Sequence, residues 1–201
     1  MGILGAGPVG QALASKLREL GHDVTIGTRT PRDGAVSYAE AAENAELAIN
    51  ATSGHVSLEA LGAAGAGNLA GKVLIDVSNA LDFSKGFPPT VGVATDDSVA
   101  ERIQLAYPDA RVVKTLNTVN NQVMVDPAGV PGSHVLFVCG NDESAKSEVV
   151  DLLESFGWPR DRVVDLGDIT GARAVELYLA LWVRLTSSLG TPSFNISVER
   201  A

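Results

Sequence analysis

GILGAGPVGQAL, residues 2–13, sets a short apolar run against a turn of spaced glycines and follows it with an apolar-periodic stretch. In G-A-G-P-V-G, Gly5 suits a tight turn after a strand. Gly7 leaves room for a pyrophosphate to approach the backbone, and Gly10 lets the next helix pack closely on the strand. Pro8 fits the first helical turn, where a missing N–H costs nothing. Val9, Leu13, Leu17 and Leu20 then share one helix face, and Gly21 ends the pattern. A helix N-terminus supplies free N–H groups and a positive dipole end. The turn formed by Gly5, Ala6, Gly7, Pro8, Val9 and Gly10 therefore reads as the phosphate cradle of a dinucleotide-binding βαβ unit.

Outward from that turn, apolar β-branched runs recur: VTIG (24–27), LAINA (47–51), VLIDV (73–77), RVVKT (111–115), HVLFVC (134–139) and RVVDL (162–166). Such runs suit strands buried on both faces, as in a parallel sheet. Helical patterns lie between them. Ser37 and Glu40 make a capping box, and Asp142 precedes ESAKSEVVDLLESFG, closed by Gly157. The alternation predicts an α/β, NAD(P)-binding Rossmann fold: a doubly wound, mostly parallel sheet with a short C-terminal helix-strand extension. A chain of 201 residues fits one domain, with 1–157 as the dinucleotide-binding core. Residues 158–201 then hold a strand, one long helix, TGARAVELYLALWVRLTSSLG, and a tail.

The end of the second strand reads TIGTRTPRDG, with Thr28, Arg29 and Arg32 and no carboxylate before Asp33. An NAD site places Asp or Glu there to accept from the ribose 2′-OH. Hydroxyl and guanidinium groups instead match a 2′-phosphate, so NADP(H) is expected. Later strand ends should line the nicotinamide half of the crevice. They read NATSG (50–54), DVSNAL (76–81) and KTLNTVN (114–120). Ala51, Thr52, Ser53, Asn79 and Asn117 are the candidates there, although Thr52 and Asn79 also suit turns.

Composition narrows the partners. A net charge of −9 argues against a nucleic-acid or anionic-membrane partner. The longest apolar stretch, AVELYLALWVRL, carries Glu176 and Arg184 and is short for a bilayer. No signal peptide is read at the start, since the glycine turn begins by Gly5, and a cytoplasmic protein is expected. Cys139 is the lone cysteine and reads as a buried strand residue, and His22, His55 and His134 stand apart. No metal site is expected. The last helix is apolar over much of its circumference, which suggests a homodimer formed through residues 170–189, burying Tyr178, Leu181 or Trp182.

Little chain remains for a substrate domain with its own acid–base residue. Lys114 is the only strand-end lysine and reads as a strand-edge salt-bridge partner. Direct hydride transfer between two stacked rings, which needs positioning rather than proton shuttling, suits such a chain.

GILGAGPVGQALASKLRELGHDVTIGTR, VVKTLNTVNNQVM and LGDITGARAVELYLALWVRLTSSLGTPSFNI resemble the NADPH-dependent F420 reductase family over nearly the whole chain. These are small 8-hydroxy-5-deazaflavin:NADPH oxidoreductases. The chain is also similar to the cytosolic reductase domain of transmembrane metalloreductases, which passes hydride from NADPH to a flavin. The resemblance implies that the glycine turn holds the pyrophosphate and that Thr28 and Arg29 hold the 2′-phosphate. It implies that Asn117 and Thr118 flank the nicotinamide and the acceptor ring. The last helix and PSFNI would wall an acceptor pocket at a homodimer interface. Archaeal members carry His at the position of Asn117 and the metalloreductase branch carries Asn, so coenzyme F420 and flavin both stay open as acceptors. Two other readings stand beside this one. The first is NADPH-dependent reduction of a small carbonyl, imine or enone, with Lys114, Tyr178 or His55 as proton donor. The second is an NADP(H)-sensing module without turnover.

Overall fold

Strand and helix alternate from the first residues onward. In the computed structural model, which describes residues 1–31 and 34–199, the first half runs β1 (Gly2–Leu4), α1 (Pro8–Glu19), β2 (Thr25–Thr28), β3 (Val36–Ser37), α2 (Tyr38–Glu43), β4 (Leu47–Asn50), α3 (Ser57–Ala64), α4 (Ala66–Leu69) and β5 (Val73–Asp76). A small hairpin of β6 (Leu81–Asp82) and β7 (Thr90–Val91) follows. The chain continues through α5 (Val99–Ala106), β8 (Arg111–Thr115), α6 (Asn121–Val125), β9 (Leu136–Gly140), α7 (Glu143–Phe156), β10 (Val163–Asp165), α8 (Ala172–Leu177) and α9 (Leu179–Leu189).

Eight strands form one sheet in the order β10-β9-β8-β5-β4-β1-β2-β3. Every pairing is parallel except β8 with β9. The order turns back between β1 and β4, the place where a doubly wound sheet opens a crevice at the carboxyl ends of its strands. Apolar runs carry no direction, so the reversal at β9 could not be read from HVLFVC. Likewise β3, β6 and β7 are two-residue strands in polar, Gly- and Pro-rich segments and left no periodic signal.

Successive strand residues enter opposite cores, because strand side chains alternate faces. Ile3, Ile49 and Val113 join Leu13 and Leu17 of α1 and Val149, Leu153 and Phe156 of α7. Leu4, Ala48 and Val112 join Ala41, Leu61 and Ile103 from α2, α3 and α5 on the other face. The sheet is thus covered on both sides, which accounts for its continuous apolar strands. The caps read from sequence are present: Ser37 Oγ accepts from the Glu40 N–H at 3.2 Å, and Asp142 Oδ1 from the Ala145 N–H at 2.8 Å. Ser98, an N-cap the sequence reading passed over, starts α5 by accepting from the Glu101 N–H at 3.1 Å.

The single long helix expected over 170–189 is divided. A 3-10 turn over Ile169–Gly171 leads into α8, and Tyr178 separates α8 from α9. The cause is a side chain far off in sequence. The Asn117 Nδ2 donates to the Val175 carbonyl at 3.0 Å, the acceptor that Leu179 would use in an unbroken helix. The tail then returns to the sheet, where the Val135 N–H donates to the Ile196 carbonyl at 3.0 Å and Asn195 Nδ2 to the Val135 carbonyl at 2.8 Å.

Candidate active site

The glycine turn is built as its spacing predicts. Gly5 has φ 122°, and a Cβ there would stand 2.6 Å from the Ala51 carbonyl oxygen. At Gly10 a Cβ would stand 1.9 Å from the Gly5 carbonyl oxygen, so only hydrogen permits this approach of α1 to β1. Gly7 caps α1, and Pro8 occupies the first helical position. A Cβ built on Gly7 would meet nothing within 4 Å, so the space above this helix end is open.

Two hollows flank the turn. The first, about 610 Å³, is lined by Ala6, Gly7, Gln11, Thr28, Arg29, Thr30 and Ala35. It joins a helix N-terminus to the Thr28–Arg29 strand end, which is what a phosphate-bearing nucleotide half requires. The Thr28 hydroxyl is buried without a partner. Arg29 is exposed and reaches Glu59 of α3 at 3.3 Å, an acid the sequence reading did not connect with it. Arg32 lies outside the described residues.

The second hollow, about 300 Å³, lies on the other side of Val9. Thr52, Ser78, Asn79 and Asn117 come to it from the ends of β4, β5 and β8, with Ala51 beside them. Asn120, Asn121 and Met124 enter from α6 and its cap, and Leu179 and Trp182 from α9. Trp182 stacks on Phe194 of the tail, with ring centroids 5.8 Å apart. The expected ring-side residues Ala51, Thr52, Asn79 and Asn117 therefore do converge, and Val9 joins them from the turn. Ser53 is exposed and lines neither hollow, and Thr118 is buried with an unpartnered hydroxyl that does not line the cavity. The sequence reading missed Ser78, Asn120, Asn121 and Met124 as wall residues. The polar strand-end patterns DVSNAL and KTLNTVN did contain Ser78 and Asn120.

Much of this wall is fixed by reciprocal bonds. Asn79 Nδ2 donates to the Asn117 carbonyl at 2.8 Å, and Asn117 Nδ2 donates back to Asn79 Oδ1 at 3.1 Å. Thr52 Oγ1 donates to Asn50 Oδ1 at 2.7 Å, so Thr52 is also the turn former its residue type suggested.

Beneath the cavity lies a buried ionic cluster. Lys114 is fully buried, and its Nζ meets Asp76 at 2.8 Å, Glu176 at 3.0 Å and the Ser78 carbonyl at 2.6 Å. Lys114 is thus an interior hub rather than a strand-edge pair. Asp76 Oδ1 also accepts from Asn50 at 2.8 Å, and Glu176 accepts from the Val99 and Ala100 N–H groups at the start of α5. One lysine therefore faces two carboxylates, and the α5 dipole offsets part of the excess negative charge. Burial opposes the charged form of Lys114, but the Asp76 and Glu176 carboxylates outweigh it and hold the amine above the ordinary lysine value. Elsewhere, burial pushes the Cys139 thiol up to about 12, which fits an inert strand residue.

None of the cavity's lining residues, among those described, carries an ionisable side chain. Lys114 is enclosed in its ion pairs, His55 is exposed, and Tyr178 does not line the cavity. Among the described residues no group of three His, Cys, Asp or Glu could hold a metal ion, and no helix is long and apolar enough to cross a membrane.

The family model described as NADP oxidoreductase coenzyme F420-dependent matches residues 1–80. A solved structure from Arthrobacter sp. FB24, provisionally described as an F420-dependent NADP-reductase, is 48% identical with a TM-score of 0.94. The match covers 98% of each chain. The chain belongs to the coenzyme F420-dependent NADP oxidoreductase family. This family member is also 28% identical to Metalloreductase STEAP3 of Rattus norvegicus over 202 residues, 96% of this chain and 38% of that protein. It is 31% identical to the F420-dependent NADP reductase of Methanocaldococcus jannaschii over 118 residues, 58% of this chain and 52% of that protein. The chain thus spans between about a third and a half of the length of these curated relatives.

Proposed function

We propose that this protein is an NADPH-dependent oxidoreductase that moves hydride between NADP(H) and a planar deazaflavin (coenzyme F420) or flavin ring, without a protein acid or base. The observation that carries the reading is the second hollow, which adjoins the dinucleotide turn and has amide, hydroxyl, aliphatic and indole walls with no ionisable side chain. Reduction of a carbonyl or imine to a product at neutral pH calls for a placed proton donor. Ring-to-ring hydride transfer calls for geometry.

The chain fits the dinucleotide at two points: the open space above Gly7 at the start of α1, and the unpartnered Thr28 hydroxyl beside Arg29. Gly5, Ala6, Gly7, Pro8, Val9 and Gly10 would hold the pyrophosphate, with Thr28, Arg29 and Arg32 on the 2′-phosphate. The bound nicotinamide supplies or accepts the hydride. Ala51, Thr52, Asn79 and Asn117 are assigned to its side of the crevice, and Thr118 supports the same loop. Residues 1–157 act as the dinucleotide core. Residues 158–201 act as an acceptor-side wall, with Trp182 and Phe194 excluding water. In this proposal the enzyme works in the cytoplasm as a homodimer formed through residues 170–189. Support comes from Leu181 and Leu189, which stand 54% and 57% exposed on α9. Light scattering giving a monomer mass at micromolar concentration would remove the dimer from the account.

A pH–rate profile of kcat/KM tests the chemistry. The account expects no bell shape assignable to an enzyme acid and base; a bell lost on mutating one titratable side chain would replace it with protonation chemistry.

A further inference from the structure

The turn that follows β5 holds one polar side chain that is left free while its neighbours are engaged. Ser78 is 2% exposed and lines the cavity, and its hydroxyl has no hydrogen-bond partner. Its backbone is pinned on both sides: the N–H donates to Asp76 Oδ1 at 3.2 Å and the carbonyl accepts from Lys114 at 2.6 Å. The backbone is thereby fixed, and the hydroxyl oxygen, shielded from accessible space as it stands, would meet a ligand in the cavity by rotation about the Cα–Cβ bond. Around it, Asn79 and Asn117 are bonded to each other and Thr52 is bonded to Asn50. A buried hydroxyl left unpaired disfavours the fold unless something else makes use of it.

We infer that the Ser78 hydroxyl is the hydrogen-bonding contact for the carboxamide of the nicotinamide. This rests on the NADP(H) reading above. The sheet edge at β4 and β5 belongs to the second half of a doubly wound sheet, where the far end of a dinucleotide crosses from the glycine turn. Ser78 stands at that edge, whereas Trp182, the other wall residue with an unpartnered buried polar atom, belongs to α9. A carboxamide offers both an acceptor and donors. A hydroxyl, with one proton and two lone pairs, can match either after rotation about a single bond.

Titration calorimetry on the full chain with Ser78→Ala tests the contact, with NADPH and 2′,5′-ADP as the two probes. The expected result is a weakening of NADPH by roughly three- to tenfold, the size of one hydrogen bond. Binding of 2′,5′-ADP, which lacks the nicotinamide, should be unchanged and also shows that the variant is folded. Unchanged NADPH binding in the variant would overturn the inference while leaving the NADP(H) reading intact. So would a loss confined to the KM of the acceptor, which would assign the hydroxyl to the acceptor ring. An equal loss for both probes would make Ser78 structural and overturn it too. A wild-type chain that binds neither probe would remove the NADP(H) reading itself.

Discussion

Around Gly5–Gly10 the site is made of main chain and empty space; around Asp76, Lys114 and Glu176 it is made of buried charge. The glycine turn depends on what is missing. A Cβ at Gly10 would collide with the Gly5 carbonyl, and the space above Gly7 is open. The ionic cluster depends on what is present: one amine, two carboxylates and a helix start held together without solvent. The first region can accept a ligand because nothing fills it. The second cannot itself take a ligand, since its members are already bonded to one another, but it fixes the edge on which a ring would rest.

Breaking the second region should have the larger effect on stability. Lys114→Met leaves Asp76 and Glu176 buried together without their cation, and unfolding free energy should fall by about 3–5 kcal/mol in denaturant titration. The pH dependence follows from the raised lysine value. Because the folded amine holds its proton more tightly than the unfolded one, its contribution is complete below the ordinary lysine value. It is lost only as pH rises through the higher folded value. Thermal scans should therefore show a steeper alkaline loss of stability in the wild type than in Lys114→Met, where Lys146 and the buried Cys139 thiol, also raised, still contribute. Equal alkaline slopes in the two proteins would contradict the buried-cation account.

The first region is sharpened by Arg29→Ala, which should weaken NADPH binding by about 1.5–3 kcal/mol and leave NADH nearly unchanged. Equal losses for both dinucleotides would make Arg29 structural. A smaller change is expected of Glu59→Gln. Glu59 holds Arg29 at 3.3 Å, and a 2′-phosphate must compete with that carboxylate. Removing the competition should tighten NADPH by up to about 1 kcal/mol, the range for an exposed ion pair, with NADH unaffected.

The same contrast explains what could be read from the sequence. The glycine turn, Pro8, the apolar face of α1 and the Thr28–Arg29 strand end lie within one βαβ unit, where spacing alone carries the geometry. The family model matches that part too, over residues 1–80. The acceptor side is assembled across long separations: 38 positions between Asn79 and Asn117, 58 between Asn117 and Val175, and 77 between Val99 and Glu176. No local pattern reports such pairs. Lys114 therefore read as an edge charge and Glu176 as a mere interruption of an apolar run. The break at Tyr178 was hidden for the same reason, because the group at the Val175 carbonyl comes from another element.

Acceptor-dependent oxidation of NADPH tests the central claim most directly. Purified protein with NADPH would be mixed in turn with coenzyme F420, FMN, FAD, riboflavin and a panel of small carbonyls and imines, and the loss of NADPH absorbance followed. Fast oxidation with the deazaflavin, slower oxidation with flavins and none with carbonyls or imines is the predicted result, because the cavity beside Val9 positions a ring and supplies no proton. Turnover of a carbonyl or imine with every deazaflavin and flavin inert would contradict the account.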